Sequence, residues 1–277
     1  MQGDQRAHAA VRLEGVSITY RLPDGRRYPA VSATDLAVAS GEFVALVGPT
    51  GCGKSTLLNV VAGLVAPSTG RVLIDGDPLS GINHRAGYLF QQEALFPWKT
   101  ALANVALGLE VKGVPRGEAR AKAERWLARV GLGAFADRYP HQLSGGQKKR
   151  VGLAQVLARE PSILLMDEPF GPLDAQTRAI MGELLLELWS AEKKAVLFVT
   201  HDLEEAIALA DRVLIMSAGP EARIIGDHRV PIARPRDIHE VRLTPAFLEI
   251  HRALWHELRA EVLKGYARSE GTTDRLP

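Results

Sequence analysis

The chain has 277 residues, with 34 Lys or Arg against 32 Asp or Glu, so its net charge is +2. Hydrophobic residues make up 46% and charged residues 24%, a balance that excludes a disordered chain. A single cysteine excludes a disulfide scaffold, no apolar run nears the roughly 18–20 residues of a membrane span, and the balanced charge argues against nucleic acid as the main ligand.

The N-terminal stretch Met1–Ala10 has no apolar signal core. With one unpaired thiol, this fits a reducing, cytosolic setting. The length allows one large domain or two modest ones. Val11–Thr19 alternates partially and is followed by a turn at Pro23-Asp24-Gly25, which predicts antiparallel strands. Further on, Glu42–Val47, Arg71–Asp75, Ser162–Met166, Ala195–Val199 and Val213–Met216 read as strands. Several lack alternation, as strands buried on both faces of a parallel sheet do. Helical patterns cover about 54–65, 175–191 and 203–210. Strand followed by helix, repeated, predicts an α/β core with its ligand at the C-terminal strand ends.

The first motif follows the strand at Glu42–Val47. Gly48-Pro49-Thr50-Gly51-Cys52-Gly53-Lys54-Ser55, with Thr56 next, matches the phosphate-loop pattern between a strand and a helix. Its glycines let backbone N–H groups wrap phosphate oxygens, and the helix adds its positive end. In this pattern Lys54 reaches the β- and γ-phosphates and the Ser55 hydroxyl ligates Mg²⁺. Cys52 is either a small tolerated residue, the preferred reading, or a thiol activated at a helix start.

From about Ala101 to Glu160 no strand is evident. Glu118–Val130 and Gly146–Arg159 read as helices around an irregular stretch at 131–140, so a helical insertion is expected. Within it, Leu143-Ser144-Gly145-Gly146-Gln147 opens a helix with Ser144 as N-cap, a second anion site at a helix start. Lys148-Lys149-Arg150 reads as a solvated, interface-facing stretch. Asp167-Glu168 closes the strand at Ser162–Met166. Asp167 is the candidate Mg²⁺ holder, acting through water, and Glu168 the candidate general base. Beyond His201, the prolines Pro231 and Pro235 with Arg229, Arg234 and Arg236 form a connector. Thr244-Pro245 then starts a helix with Phe247, Ile250, Leu254, Leu258 and Val262 on one face.

Taken together, the phosphate loop, Leu143–Gln147, Asp167-Glu168 and His201, in that order, resemble the ATP-binding subunit of an ABC transporter from about Val11 to Arg229. The resemblance implies an α/β fold: a P-loop NTPase (RecA-like) core with an N-terminal antiparallel β region, a helical insertion and a C-terminal helical tail. It places the ATPase domain at 11–230, with the insertion at about 92–160, and a connector and helix at 231–277. It implies ATP and Mg²⁺ as ligands and a head-to-tail homodimer. In that dimer each ATP lies between one phosphate loop and the partner's Ser144–Gln147 segment.

Single positions carry over likewise. Gln91 matches the Mg²⁺- and water-sensing glutamine, with Gln92 as the competing register, and His201 matches the γ-phosphate histidine. Tyr20 matches the adenine-stacking aromatic, with Tyr28 as competitor, and Leu173-Asp174 matches the loop that crosses the dimer interface. Pro172 departs from the small residue usual there. Leu95, Phe96 and Trp98 in the segment Gln91–Trp98 suggest a docking surface for a separate permease. Phe96-Pro97-Trp98, Ala233–Asp237 and the helical tail look like the nitrate/sulfonate/taurine import branch, which thiamine-precursor importers resemble. That branch implies an extracytoplasmic solute-binding protein and a peripheral place on the cytoplasmic membrane face. Two other classes fit less well. A non-transport ABC ATPase acting on nucleic acid or ribosomes lacks its second cassette or coiled coil here. A small-molecule kinase leaves Leu143–Gln147 unexplained.

Overall fold

The computed structural model describes residues 9–92 and 94–273, with side chains to residue 265. The expectation about a signal core falls mostly on residues 1–8, outside the described residues. The chain divides into two compact units, residues 1–83 with 193–277, and residues 84–192.

In the first unit, β1 (Ala9–Arg21) and β2 (Arg27–Ala39) form the expected antiparallel hairpin, with Tyr20 opposite Tyr28. β1 also pairs antiparallel with β4 (Thr69–Ile74), which pairs with the short β5 (Asp77–Pro78). The apolar run Arg71–Asp75 therefore belongs to the antiparallel sheet, not to the parallel one. In β4 only Val72, Leu73 and Ile74 are buried while Thr69–Arg71 are exposed, and length and hydrophobicity alone do not assign so short an apolar run to one sheet.

The nucleus of this unit is β3 (Phe43–Val47), buried at every residue. β3 runs parallel to β8 (Ala195–Val199) on one side and to β9 (Arg212–Met216) on the other. β10 (Ile224–Arg229) adds antiparallel to β9. A strand flanked on both edges and covered on both faces must be apolar throughout, which explains the lack of alternation. Phe43 and Phe198 meet with ring centroids 5.8 Å apart. Two helices follow strands directly: α1 (Lys54–Val61) after β3 and α6 (Leu203–Leu209) after β8. Asp202 caps α6 by accepting from the N–H groups of Glu204 and Glu205.

The connector is irregular but tightly held. Arg236 Nη1 donates to the carbonyls of Ile207, Ala208 and Ala210, while Nη2 reaches those of Val230 and Ile232. Arg234 reaches Leu209 O and the Asp211 carboxylate. Two guanidiniums thus satisfy the carbonyls left open where α6 ends, at the negative pole of that helix. Burial, and then the neighbouring Arg234 charge, depress the Arg236 pKa to about 10. After α7 (Ile238–Val241) comes α8 (Pro245–Thr273), capped by the Thr244 hydroxyl, which accepts from Phe247 N–H. Phe247, Leu254 and Leu258 are buried as expected. Ile250 and Val262 are only half-buried, and the buried face continues through Glu261 instead.

In the second unit, β6 (Ala86–Leu89) runs parallel to β7 (Ile163–Asp167). Between them lie α2 (Ala101–Val111), α3 (Arg116–Arg129) and α4 (Gly145–Leu157), and α5 (Ala175–Glu192) follows β7. No strand occurs between 94 and 160, as expected. The sequence pattern passed over α2, because Ala101–Val111 is nearly all apolar and shows no clear face. Its Thr100 N-cap, which accepts from Ala103 N–H, was the available signal. Among the described residues, no helix is long and apolar enough to cross a membrane.

Replacing Arg236 by Met should leave several buried carbonyls without donors and lower unfolding stability by about 2–3 kcal/mol. Urea denaturation of the full chain measures this, and a loss below about 0.5 kcal/mol would show that the connector is not held this way.

Candidate functional site

In the first unit the phosphate loop leaves the C-terminal end of β3, and α1 begins at Lys54. Gly53, its N-cap, has φ 99° and carries no capping side chain, so the first N–H groups of α1 are left for an outside acceptor. A Cβ on Gly53 would stand 2.8 Å from Val31 Cγ2, and one on Gly48 would stand 3.0 Å from Met216. Gly51, with φ 76°, faces open space. The first two glycines are therefore required by what lies behind the loop, and Gly51 by its backbone conformation. Lys54 is buried, and its Nζ donates to Gly48 O and Pro49 O at 2.9 Å each. The ammonium is thus held on the loop's own carbonyls. Thr50, Gly51 and Ser55 are exposed.

Cys52 is 1% exposed, and burial pushes its thiol above the ordinary range despite the nearby Lys54 charge. This favours the small packed residue over an activated thiol. Tyr20 is 38% exposed, and its hydroxyl donates to Thr56 Oγ1 at 3.4 Å. Tyr28 is equally exposed, but its hydroxyl lies beside Gly219. Tyr20 thus reaches the start of α1. His201 is exposed just beyond the end of β8.

In the second unit Asp167 and Glu168 end β7. Glu168 has φ 44°, a left-handed conformation uncommon for a residue with a side chain. It turns the chain so that two consecutive carboxylates need not point the same way, and such local strain is concentrated at functional sites. Glu168 Oε2 accepts from Gln91 Nε2 at 3.2 Å. Tyr88, one strand over, hydrogen-bonds Asp167. Burial and then the Asp167 charge raise the Tyr88 hydroxyl pKa far above its usual value.

The basic stretch at 148–150 is not solvated as expected. Lys149 is 1% exposed, and its Nζ donates to Gln91 O at 2.5 Å. Arg150 reaches Val130 O. Helical spacing turns Lys149 inward while the sequence shows only three consecutive charges. Ser144 and Gln147 form a capping box, with Ser144 Oγ accepting from Gln147 N–H and Gln147 Oε1 accepting from Ser144 N–H. Ser144 and Gly145 are exposed, and a Cβ on Gly146 would lie 2.7 Å from Thr177 Cγ2. Asp174 accepts from Thr177 N–H at 2.9 Å, which holds its carboxyl below the usual carboxylate range. Pro172 sits on an exposed turn closed by Leu173 N–H to Phe170 O, so its missing donor is not needed there.

The apolar loop is also in this unit. Trp98 is 70% exposed and Phe96 38%, their rings 5.3 Å apart, while Leu95 is half-buried. Asn104 is fully buried. It accepts from Phe96 N–H and donates to the carbonyls of Phe96, Lys99 and Thr100. Lys149, Asn104 and Tyr88 are the site residues that motif reading missed. The only sequence signal for Asn104 was a lone amide in an apolar helix.

The residues fit the ligands expected of them. The phosphate loop offers uncapped backbone donors and a buried ammonium, the chemistry of a polyphosphate site. Among the described residues no group of three His, Cys, Asp or Glu could hold a metal by itself. Mg²⁺ takes oxygen ligands and keeps several waters, and Ser55 in the first unit and Asp167 in the second each offer an oxygen of that kind.

A family model for ABC transporters matches residues 31–171. An uncharacterised ABC transporter ATP-binding protein of Methanocaldococcus jannaschii is 46% identical over 259 residues, covering 94% of this chain and 95% of its own. The taurine import ATP-binding protein TauB of Chromobacterium violaceum is 44% identical over 257 residues, covering 91% and 97%. A solved dimeric ATP-binding cassette in a post-hydrolysis state with ADP and Pi is 33% identical, with a TM-score of 0.70, covering 80% of this chain and all of its own. CbiO1 of Clostridium perfringens, part of an ABC transporter complex, has a TM-score of 0.72 at 29% identity, covering 89% and 99%. Fold and site define a P-loop ATPase. The chain belongs to the ABC transporter family, as an ATP-binding and ATP-hydrolysing subunit.

Lys149→Met should free the Gln91 backbone and lower the hydrolysis rate about tenfold by displacing Gln91 from Glu168. MgADP affinity should stay within about twofold. Steady-state kinetics and calorimetric titration test the pair. Unchanged hydrolysis would mean the Lys149–Gln91 bond does not orient the site.

Proposed function

We propose that this chain energises import of a small solute through a separate permease, working as a homodimer at the cytoplasmic membrane face. The observation that carries the reading is the Gln91–Trp98 segment. At one end Gln91 bonds the Glu168 carboxylate, and at the other Phe96 and Trp98 stand exposed on a loop fixed by Asn104. Large aromatics held rigidly in water are costly unless a partner covers them. A loop joined to a nucleotide-sensing glutamine suits a permease helix that must feel the hydrolysis state. On this reading the solute is nitrate-, sulfonate- or taurine-like, or a thiamine precursor, delivered by an extracytoplasmic binding protein; the relatives named as taurine import ATP-binding proteins support the taurine-like choice.

On this reading residues 11–230 act as the ATPase domain, with the helical insertion at about 92–160, and 231–277 as its connector and helix. Tyr20 stacks on adenine. The backbone N–H groups of Gly48–Thr56, other than at Pro49, and the Lys54 ammonium hold the phosphates. Ser55, Asp167 and Gln91 are the residues that would hold Mg²⁺, which when bound would supply positive charge against the phosphates. Glu168 orients and deprotonates the attacking water, taking its proton at the carboxylate. His201 contacts the γ-phosphate. Ser144, Gly145, Gly146 and Gln147, exposed at the start of α4, serve the partner subunit's nucleotide, with Asp174 at the interface.

Glu168→Gln should cut ATP hydrolysis by about a hundredfold or more, while MgATP binding and ATP-dependent dimerisation persist. Normal turnover in that variant would refute the general-base role. Trp98→Ala should retain nucleotide binding yet lose co-purification of a multi-span membrane protein from detergent extract. Recovery of ribosomes or DNA with the unsubstituted chain would overturn the transport reading.

A further inference from the structure

We propose that Glu261, on the C-terminal helix, is a positioning residue for the phosphate loop. The inference rests on that loop being the nucleotide site, and it assigns α8 a part in building it.

Glu261 is 7% exposed and lies on the buried face of α8, beyond Leu254 and Leu258. A residue serving only to pack at this place would be apolar, because a buried carboxylate costs stability unless fully partnered. Glu261 is partnered. Its Oε2 accepts from Ala218 N–H at 2.9 Å, and its Oε1 pairs with Lys264 Nζ at 2.5 Å. The bond to Ala218 ties the helix to the segment that leaves β9.

That segment is the back wall of the phosphate loop. A Cβ on Gly48 would stand 3.0 Å from both Met216 Cβ and Met216 O. One on Gly219 would stand 3.5 Å from Gly51 O and 3.6 Å from Cys52 Cα. The helix also nears the loop directly, since a Cβ on Gly265 would be 3.9 Å from Pro49 Cβ. The loop carries no capping side chain at Gly53, so the direction of its donors depends on the backbone behind it. A hydrogen bond is directional, and this one fixes Ala218 where a mere apolar contact would allow sliding. Residues 216–219 therefore transmit the position of α8 to Gly48–Cys52.

The test uses the full chain with MgADP as probe. Wild type, Glu261→Leu, Glu261→Asp, Glu261→Gln and the exposed-site control Leu263→Ala are compared by calorimetric titration, ATPase kinetics and melting with and without MgADP. Glu261→Leu and the shortened Glu261→Asp should each weaken MgADP about tenfold and raise KM for ATP, with kcat held within about twofold. Glu261→Gln, which keeps an acceptor, should stay within about threefold of wild type, as should Leu263→Ala. The MgADP-induced rise in Tm should shrink for Leu and Asp alone. If Leu fails to fold, the Asp variant decides. Wild-type MgADP affinity in Asp, or melting lowered equally with and without MgADP, overturns the proposal and leaves α8 a packing element. Failure of the underlying reading looks different: wild type would not bind MgADP, or Lys54→Ala would bind it as tightly.

Discussion

The arrangement of the first unit depends on one requirement: backbone N–H groups must be pointed at an anion and kept there. Side chains cannot fill that role inside the loop, because each would occupy the space the anion needs or strike what lies behind. Gly48 and Gly53 are glycine for the second reason, since a Cβ there would press on Met216 and on Val31. The backbone must then be stiffened from outside. β3, buried at every residue between β8 and β9, supplies a rigid origin, and the segment after β9 supplies a wall. Lys54 is folded back onto Gly48 O and Pro49 O, which holds its charge in place without exposing it to bulk water.

The second unit meets a related requirement with buried polar groups. Lys149 holds the Gln91 backbone, and Asn104 holds the turn that carries Phe96 and Trp98. Both belong to the core by burial and to loops by bonding. A polar group in a core is tolerable only when its bonds are made. Here those bonds go to the stretch of chain that links the Glu168 carboxylate to an exposed aromatic pair. The buried Lys149 and Asn104 thereby hold the two ends of the segment from Gln91 to Trp98.

The same logic explains the arginine-rich connector. Arg234 and Arg236 read in sequence only as part of a connector, yet their guanidiniums bond the carbonyls at the end of α6. This anchors the start of the tail. The ABC family membership concerns the nucleotide machinery, and the anchoring of α8 through Glu261 adds to it a segment that lies beyond the matched family region.

What the sequence by itself determined is everything carried by local spacing. The phosphate loop between strand and helix, the Ser144 cap, the paired carboxylates after an apolar strand and the Thr244-Pro245 helix start each depend on neighbours a few residues apart. Their geometry follows from backbone rules that act at that range. Tertiary structure alone decided the rest. That Gln91 meets Glu168, that Lys149 faces inward, and that Arg71–Asp75 joins the antiparallel sheet all depend on partners far away in the chain. So does Glu261, which interrupts an apolar face and whose partner, Ala218, is an unremarkable alanine. A backbone N–H has no signature in sequence, so a side chain whose role is to hold one becomes visible only when the fold brings the two together.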